Sequence, residues 1–356
     1  MGSTFLIIKT SSIGDVIQTF PVVEYLKRKF PGCAIDWVVE EAFAPLLDAH
    51  PQIRDVIVLD TRKWRKKPSW KAFRAFRAKL KNERYDAVFD LQGNIKSALI
   101  TAMTRSSQKI GFGWNSTSEK PNVLATTHRF DISSALPIQQ RYLKLVQAWL
   151  GDPIPFEPTP APLLLKEAEH ERLDAMNLPQ NCYLVAAGSK WASKKLPLST
   201  LTELLQLIPS AHFILIWGSP PEKQEAEELH AALPDRSTIT GDLSLPLLQA
   251  IIRRCSGVIA VDSAILALSG TTSTPSYSIF GPSLASVYKP VGDQNRSIQG
   301  ECPYGRKFNA RCPILRSCKT AACIRTLSAL QIDEQLSLSS LGKSRGLTQE
   351  LELHRE

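Results

Sequence analysis

The sequence predicts an α/β protein made of two doubly wound domains, each a parallel sheet with helices on both faces. Three observations predict it. Short apolar runs without charge recur along the chain and alternate with helical segments, as strands buried on both faces would. The alternation occurs twice, on either side of a stretch, Gly151 to Pro162, that carries five prolines and reads as a linker. A length of 356 residues also exceeds what one core usually organises. The expected divisions are an N-terminal domain over 1–155, a C-terminal domain over 163–325, and a last helix with a polar tail over 326–356.

The first strand is Phe5 to Ile8. Thr10, Ser11, Ser12 and Gly14 then form a turn-forming segment, followed by Asp15 and by Val16, Ile17, Phe20, Val23 and Leu26 at helical spacing. Such a loop lies at the carboxyl end of its strand, where open α/β sheets bind ligands, and amides at a helix start suit phosphate. Read locally, Asp15 is a helix cap or a first-turn charge opposite the dipole. Ala34 to Val39 and Ile53 to Leu59 read as the second and third strands. Arg62 to Arg84 holds eleven Lys or Arg and one acid, with Trp64 among them and Trp70, Phe73, Phe76 and Leu80 on one expected helix face. This is either a solvated basic face or a surface for phosphates and anionic membranes. Tyr85 to Leu91 is a fourth strand, ending in Gln92, Gly93 and Asn94 before a helix with Lys96 and Ser97. Lys109 to Gly113 reads as a short strand and Arg141 to Leu150 as an amphipathic helix.

The second half repeats the pattern. Tyr183 to Ala187 is a strand ending in Gly188, Ser189 and Lys190. Pro197 and Leu198 open a helix to about Ile208. His212 to Trp217 is a strand ending in Gly218, and Glu222 to Ala232 and Leu247 to Cys255 are helices. Gly257 to Val261 is a strand ending at Asp262 and Ser263, with a helix from Ala264 to Gly270. Ser276 to Phe280 closes the series, and Thr326 to Leu336 reads as a last helix. Residues after about Ser339 are polar and expected to fray.

Composition narrows the function. The net charge of +9 and pI of about 9.2 favour an anionic partner. No run reaches the ~18–20 apolar residues of a membrane span, and the start of the sequence carries no leader pattern, so a cytoplasmic protein is expected. Seven cysteines are an odd count, scattered and unlike a secreted disulfide framework. Cys302, Cys312, Cys318 and Cys323 cluster in the tail, but only the last two have a zinc-like spacing, and no metal site is assigned. His128 and His212 stand alone and read as ordinary histidines. Neither a G-x-G-x-x-G nor a G-x-x-x-x-G-K-[ST] fingerprint is present. Nothing outside the basic stretch resembles a nucleic-acid module. What remains suits an enzyme that binds a diphosphate in one domain and activates a hydroxyl in the other.

KTSSIGDV, DWVVEEAF, RKWRKK and YDAVFDLQGNIKSA, then SKKLP, WGSPPEKQEA and VDSAILAL…TPSYSIFGP, occur in this order. Together they resemble family 9 of the glycosyltransferases, the lipopolysaccharide heptosyltransferases, from about Phe5 to Phe280. The resemblance implies a GT-B architecture, two Rossmann-like domains facing across a cleft. It implies inverting transfer of heptose from ADP-heptose to a Kdo residue of lipid A, with no metal or cofactor. Asp15 would be the general base and Lys194 would stabilise the leaving diphosphate. Ser11, Ser12, Gly14, Gly188, Ser189, Lys190, Glu222, Asp262, Ser263 and Ala264 would bind the donor. Arg62, Arg65, Lys66, Gln92 and Lys96 would bind the anionic lipid A–Kdo acceptor. The enzyme would be a monomer, peripheral on the inner face of the inner membrane, without a nucleic-acid partner. Leu196, Ala264 and Ala267 replace the family's Trp, Gly and His. The alternative is therefore a degenerate homologue that uses another nucleotide sugar or binds one without turnover.

Overall fold

The computed structural model describes residues 2–67 and 69–341. The frayed tail expected after Ser339 falls, from residue 342 on, outside the described residues. The chain divides into two compact units, Met1–Leu164 and Leu165–Glu356.

The first unit holds one parallel sheet of six strands: β1 (Thr4–Ile8), β2 (Ala34–Glu40), β3 (Asp55–Leu59), β4 (Ala87–Asp90), β5 (Lys109–Phe112) and β6 (His128–Phe130). Their order is β3-β2-β1-β4-β5-β6, so the winding reverses between β1 and β4. Phe5, Leu6, Ile7 and Ile8 are almost fully buried, which is why β1 is apolar at every position after Thr4. In register, Ile8 of β1 lies beside Asp90 of β4. The helix expected after β1 is two helices, Ile13–Ile17 and Phe20–Lys29. Pro21, in the first turn of the second, has no N–H to continue the first one's ladder. Gly14, expected in the turn, lies inside the first helix.

The basic stretch forms two helices, Thr61–Lys66 and Trp70–Asn82. Phe76 and Leu80 are buried on the expected face, but Trp70 is 80% exposed. Trp70 occupies the first helical position and meets Phe73 edge-on at 5.7 Å. The Pro-rich stretch is held along the helix Phe20–Lys29. The Thr159 amide and hydroxyl donate to Glu24, and Phe156 packs edge-on against Tyr25.

His50 lies buried against Phe20, ring centroids 4.7 Å apart, and its Nδ1 accepts from the Gln52 amide. Burial, with a smaller push from Lys27, pulls its pKa down to about 4. Between that value and the unfolded value near 6.5, the unfolded chain binds a proton that the fold excludes. Stability is therefore lost as pH falls through this window, by about 3 kcal/mol at pH 4. Denaturant midpoints at pH 7, 5.5 and 4.5 are expected to fall less steeply in His50→Gln than in the wild type.

The second unit repeats the topology with β7 (Cys182–Ala186), β8 (His212–Trp217), β9 (Ser237–Gly241), β10 (Gly257–Val261), β11 (Ser276–Phe280) and β12 (Arg296–Gln299). The order is β12-β11-β10-β7-β8-β9, with the reversal between β7 and β10. The last helical region is interrupted, Ala322–Arg325 and then Ala329–Leu336. Ile332 and Leu336 are buried in the second unit's own core with Leu201, Leu204 and Leu205. No described helix is long and apolar enough to cross a membrane.

Candidate active site

In each sheet the strand order reverses between two neighbouring strands, and the loops leaving those strands carry the motifs. In the first unit these are the loops after β1 and β4. Lys9 is buried, with Nζ donating to the Leu91 carbonyl at 3.2 Å and lying 4.5 Å from the Tyr142 ring centroid. The Thr10 and Ser11 amides donate to Gln92 Oε1 at 3.0 and 3.1 Å, and the Thr10 hydroxyl at 3.3 Å. Asp15 is half-buried in the first turn of its helix. Its Oδ2 accepts from the Ser12 amide at 3.2 Å and the Ser12 hydroxyl at 2.7 Å. Ser12 is the N-cap of this helix, and Asp15 is its capping-box partner and a first-turn charge. A carboxylate has about four lone-pair sites, so capping does not exhaust it.

Asp90, fully buried at the end of β4, accepts from the Gln92 and Gly93 amides, the Ser97 and Thr101 hydroxyls and the Asn122 amide. Burial pushes its pKa up and these donors pull it down, with burial the larger effect. Lys96 pairs with Glu40 at 2.7 Å, and Glu40 also receives the amide and hydroxyl of Thr61 at the start of the basic helix. Of the expected acceptor contacts, Gln92 and Lys96 therefore already have protein partners. Arg62 and Lys66 are exposed on the helix Thr61–Lys66. Arg65 belongs to that helix too, but its side chain lies outside the described residues.

In the second unit the corresponding loops follow β7 and β10. Ser189 and Lys190 line a cavity of about 920 Å³, with Lys195, Gly218, Glu222 and Glu225 on its other walls. Glu222 is presented by the first turn of the helix Pro220–Ala232, and its Oε2 accepts from the Gly218 amide at 3.0 Å. A Cβ on Gly188 would fall 2.4 Å from Glu222 Oε1, so only glycine lets that carboxylate approach the β7 loop. Lys194 ends a short 3-10 turn, is almost buried, and pairs its ammonium with Asp262 Oδ2. The Ser283 hydroxyl donates to the same oxygen, and the Ser189 hydroxyl to the Asp262 carbonyl at 3.3 Å. Ser263 caps the helix Ala264–Ser269 through the Leu266 amide, and Ala264 is its first residue.

The structure thus assembles Gly188, Ser189, Lys190, Lys194, Glu222, Asp262, Ser263 and Ala264 around two adjoining loops of one unit. Sequence reading did not name Ser283, or the Lys195–Glu225 ion pair at 2.8 Å. Ser283 follows the Gly281-Pro282 turn that ends β11, and Lys195 adjoins Lys194. Both signals were present but carried no partner.

Cys302, Cys312 and Cys318 are half-buried and Cys323 is buried. Burial first, then the three neighbouring thiols, push Cys323 up to about 11. Among the described residues no three His, Cys, Asp or Glu side chains are set to hold a metal ion.

Residues 73–316 match the family model of glycosyltransferase family 9 (heptosyltransferase). Lipopolysaccharide heptosyltransferase 1 of Pseudomonas aeruginosa is 30% identical over 285 residues, 78% of this chain and 78% of that protein. The protein of the same name from Escherichia coli K12 is 30% identical over 288 residues, 78% and 87% of the two chains. The E. coli heptosyltransferase WaaC solved with ADP superposes with a TM-score of 0.75 at 24% identity, covering 94% of this chain and 99% of that one. With two parallel six-stranded sheets of matching topology, the chain has the GT-B fold and belongs to glycosyltransferase family 9, the heptosyltransferases.

Proposed function

We propose that this chain moves heptose from ADP-heptose to a Kdo residue of lipid A in lipopolysaccharide core synthesis, with inversion at the anomeric carbon. Its kinship with the lipopolysaccharide heptosyltransferases supports the reaction. In the geometry, the observation that carries it is the cavity of the second unit. A carboxylate, Glu222, stands against one loop for ribose hydroxyls, and Ser189, Lys190 and Lys195 stand within reach of a diphosphate.

Asp15 takes the proton of the acceptor hydroxyl. The oxygen then attacks the anomeric carbon from the face opposite ADP. The bond to the phosphate oxygen breaks, and ADP leaves with the electron pair. Charge gathers on the departing diphosphate, where a preorganised cation contributes most. Lys194 supplies it, from an ammonium that Asp262 holds in place. Gly188, Ser263 and Ala264 shape the donor loops, and Ser11, Ser12 and Gly14 approach the sugar from the base-bearing loop. Arg62, Arg65 and Lys66 receive acceptor phosphates. Gln92 and Lys96 act more as supports of that rim, since their polar ends are already bonded. The reading places the enzyme at the inner face of the inner membrane as a monomer, with no metal or cofactor. One feature favours the second reading, binding without turnover: Ala267 is buried where the family block carries a histidine.

Gly188→Ala tests the donor site. It drives a methyl group into the Glu222 carboxylate, a flexible end that swings away at little cost to the fold. ADP is expected to raise the wild-type melting temperature and, at the same concentration, to raise that of Gly188→Ala by much less, for a ~10-fold weaker affinity. An equal shift in both proteins would remove Glu222 from the nucleotide site.

A further inference from the structure

Two loops meet beside Asp15, and the residue that joins them has no role in the transfer chemistry described above. Gln92 lies 82 positions from Thr10 in sequence, yet its side-chain oxygen accepts from both the Thr10 and Ser11 amides and from the Thr10 hydroxyl. These amides follow directly on β1, which ends at Ile8. The next residue, Ser12, gives its amide and hydroxyl to Asp15. Gln92 itself is aimed from below. Its amide and that of Gly93 donate to Asp90 Oδ1 at 3.1 and 2.9 Å. The other Asp90 oxygen receives Ser97, Thr101 and Asn122 at 2.8, 3.2 and 2.7 Å. Asp90 is fully buried, so the turn carrying Gln92 is fixed by five donors inside the fold. Gly93 completes it at φ +71°, where a side chain would be strained.

We propose that Gln92 is a positioning residue for the base: its carboxamide oxygen, fixed by the Asp90 network, holds the Thr10–Ser12 backbone and so sets where Asp15 presents its carboxylate. The proposal rests on the reading of Asp15 as the general base. A carboxamide suits the task. It offers a strong acceptor to three donors without bringing a negative charge near a carboxylate that must stay ionised. Among the described residues, the other charged groups facing this rim within the unit include Lys9, buried under the Tyr142 ring, Asp90, the Lys96–Glu40 pair, and Glu119, whose carboxylate accepts from the Ile95 amide at 2.8 Å.

Two variants separate positioning from mere packing. Gln92→Met keeps length and apolar bulk and removes the acceptor. It is expected to lower kcat by ~10- to 100-fold, the size of effect a misplacement of about 1 Å produces, with KM for the nucleotide sugar within about twofold. Gln92→Glu keeps an acceptor oxygen and adds a charge. It is expected to recover most of kcat at high pH and to move the acid limb of the kcat–pH profile upward by about one unit, because nearby negative charge disfavours the Asp15 carboxylate. Wild-type kcat in Gln92→Met would overturn the proposal, as would a loss that Gln92→Glu recovers at no pH. Asp15→Asn, assayed alongside, tells the two failures apart. An inactive Asp15→Asn beside a wild-type-like Gln92→Met leaves the base and removes Gln92's role. An Asp15→Asn with wild-type turnover removes the base and this proposal with it.

Discussion

Asp15→Asn is expected to lower kcat for heptose transfer by ~10³-fold, within the range a positioned general base contributes. The side-chain oxygen of Asn still accepts from the Ser12 amide and hydroxyl, the bonds that make Asp15 the capping-box partner. The fold should therefore lose no more than about 1 kcal/mol, the usual scale of a cap. The groups assigned to the nucleotide lie in the second unit, so the rise in melting temperature on adding ADP should be unchanged. Parallel measurement of turnover and ADP-induced stabilisation checks both. A variant that transfers at the wild-type rate would reduce Asp15 to its place in the capping box.

Lys194 and Asp262 should affect stability as well as rate. Their side chains are 10% and 14% exposed, so the pair is largely shielded from water. Lys194→Met leaves the Asp262 carboxylate beside the Ser283 hydroxyl without the ammonium that pairs with it. Breaking a buried pair on one side costs about 3 kcal/mol, which in a unit of this size lowers the melting temperature by roughly 10 °C. Turnover should fall ~10²- to 10³-fold through loss of the charge facing the leaving group. The double variant Lys194→Met/Asp262→Asn has no stranded charge. It is expected to regain most of the stability and none of the turnover, and thermal unfolding with steady-state kinetics on the three proteins measures both. Recovery of turnover in the double variant would show that the pair is structural.

How much of this was legible in the sequence depended on burial. The central strands β1, β4, β7 and β10 are buried on both faces and spell themselves as apolar runs. The edge strands β6, β9 and β12 went unread because their residues are mostly half-exposed and polar, as in His128–Phe130 and Arg296–Gln299. The helix Glu167–Ala175 was missed for the same reason, since Leu173 alone is buried. Trp70 misled in the other direction: its spacing matched the buried face, but its place at the helix start leaves it in solvent. At the candidate site, motif order pointed to loops that leave the strands where each sheet's order reverses. The contacts within them were invisible, because Gln92 reaches Thr10, and Lys194 reaches Asp262, only once each sheet has brought its neighbouring strands together. No local spacing encodes a bond across 82 or 68 residues.

The most direct test of the account is the product formed by the purified chain from ADP-heptose and a Kdo-bearing lipid A. The account predicts one ADP released for each heptose transferred, and an anomeric configuration in the product, read by NMR, opposite to that of the donor. Retained configuration, or ADP release without a glycosylated acceptor, would contradict it.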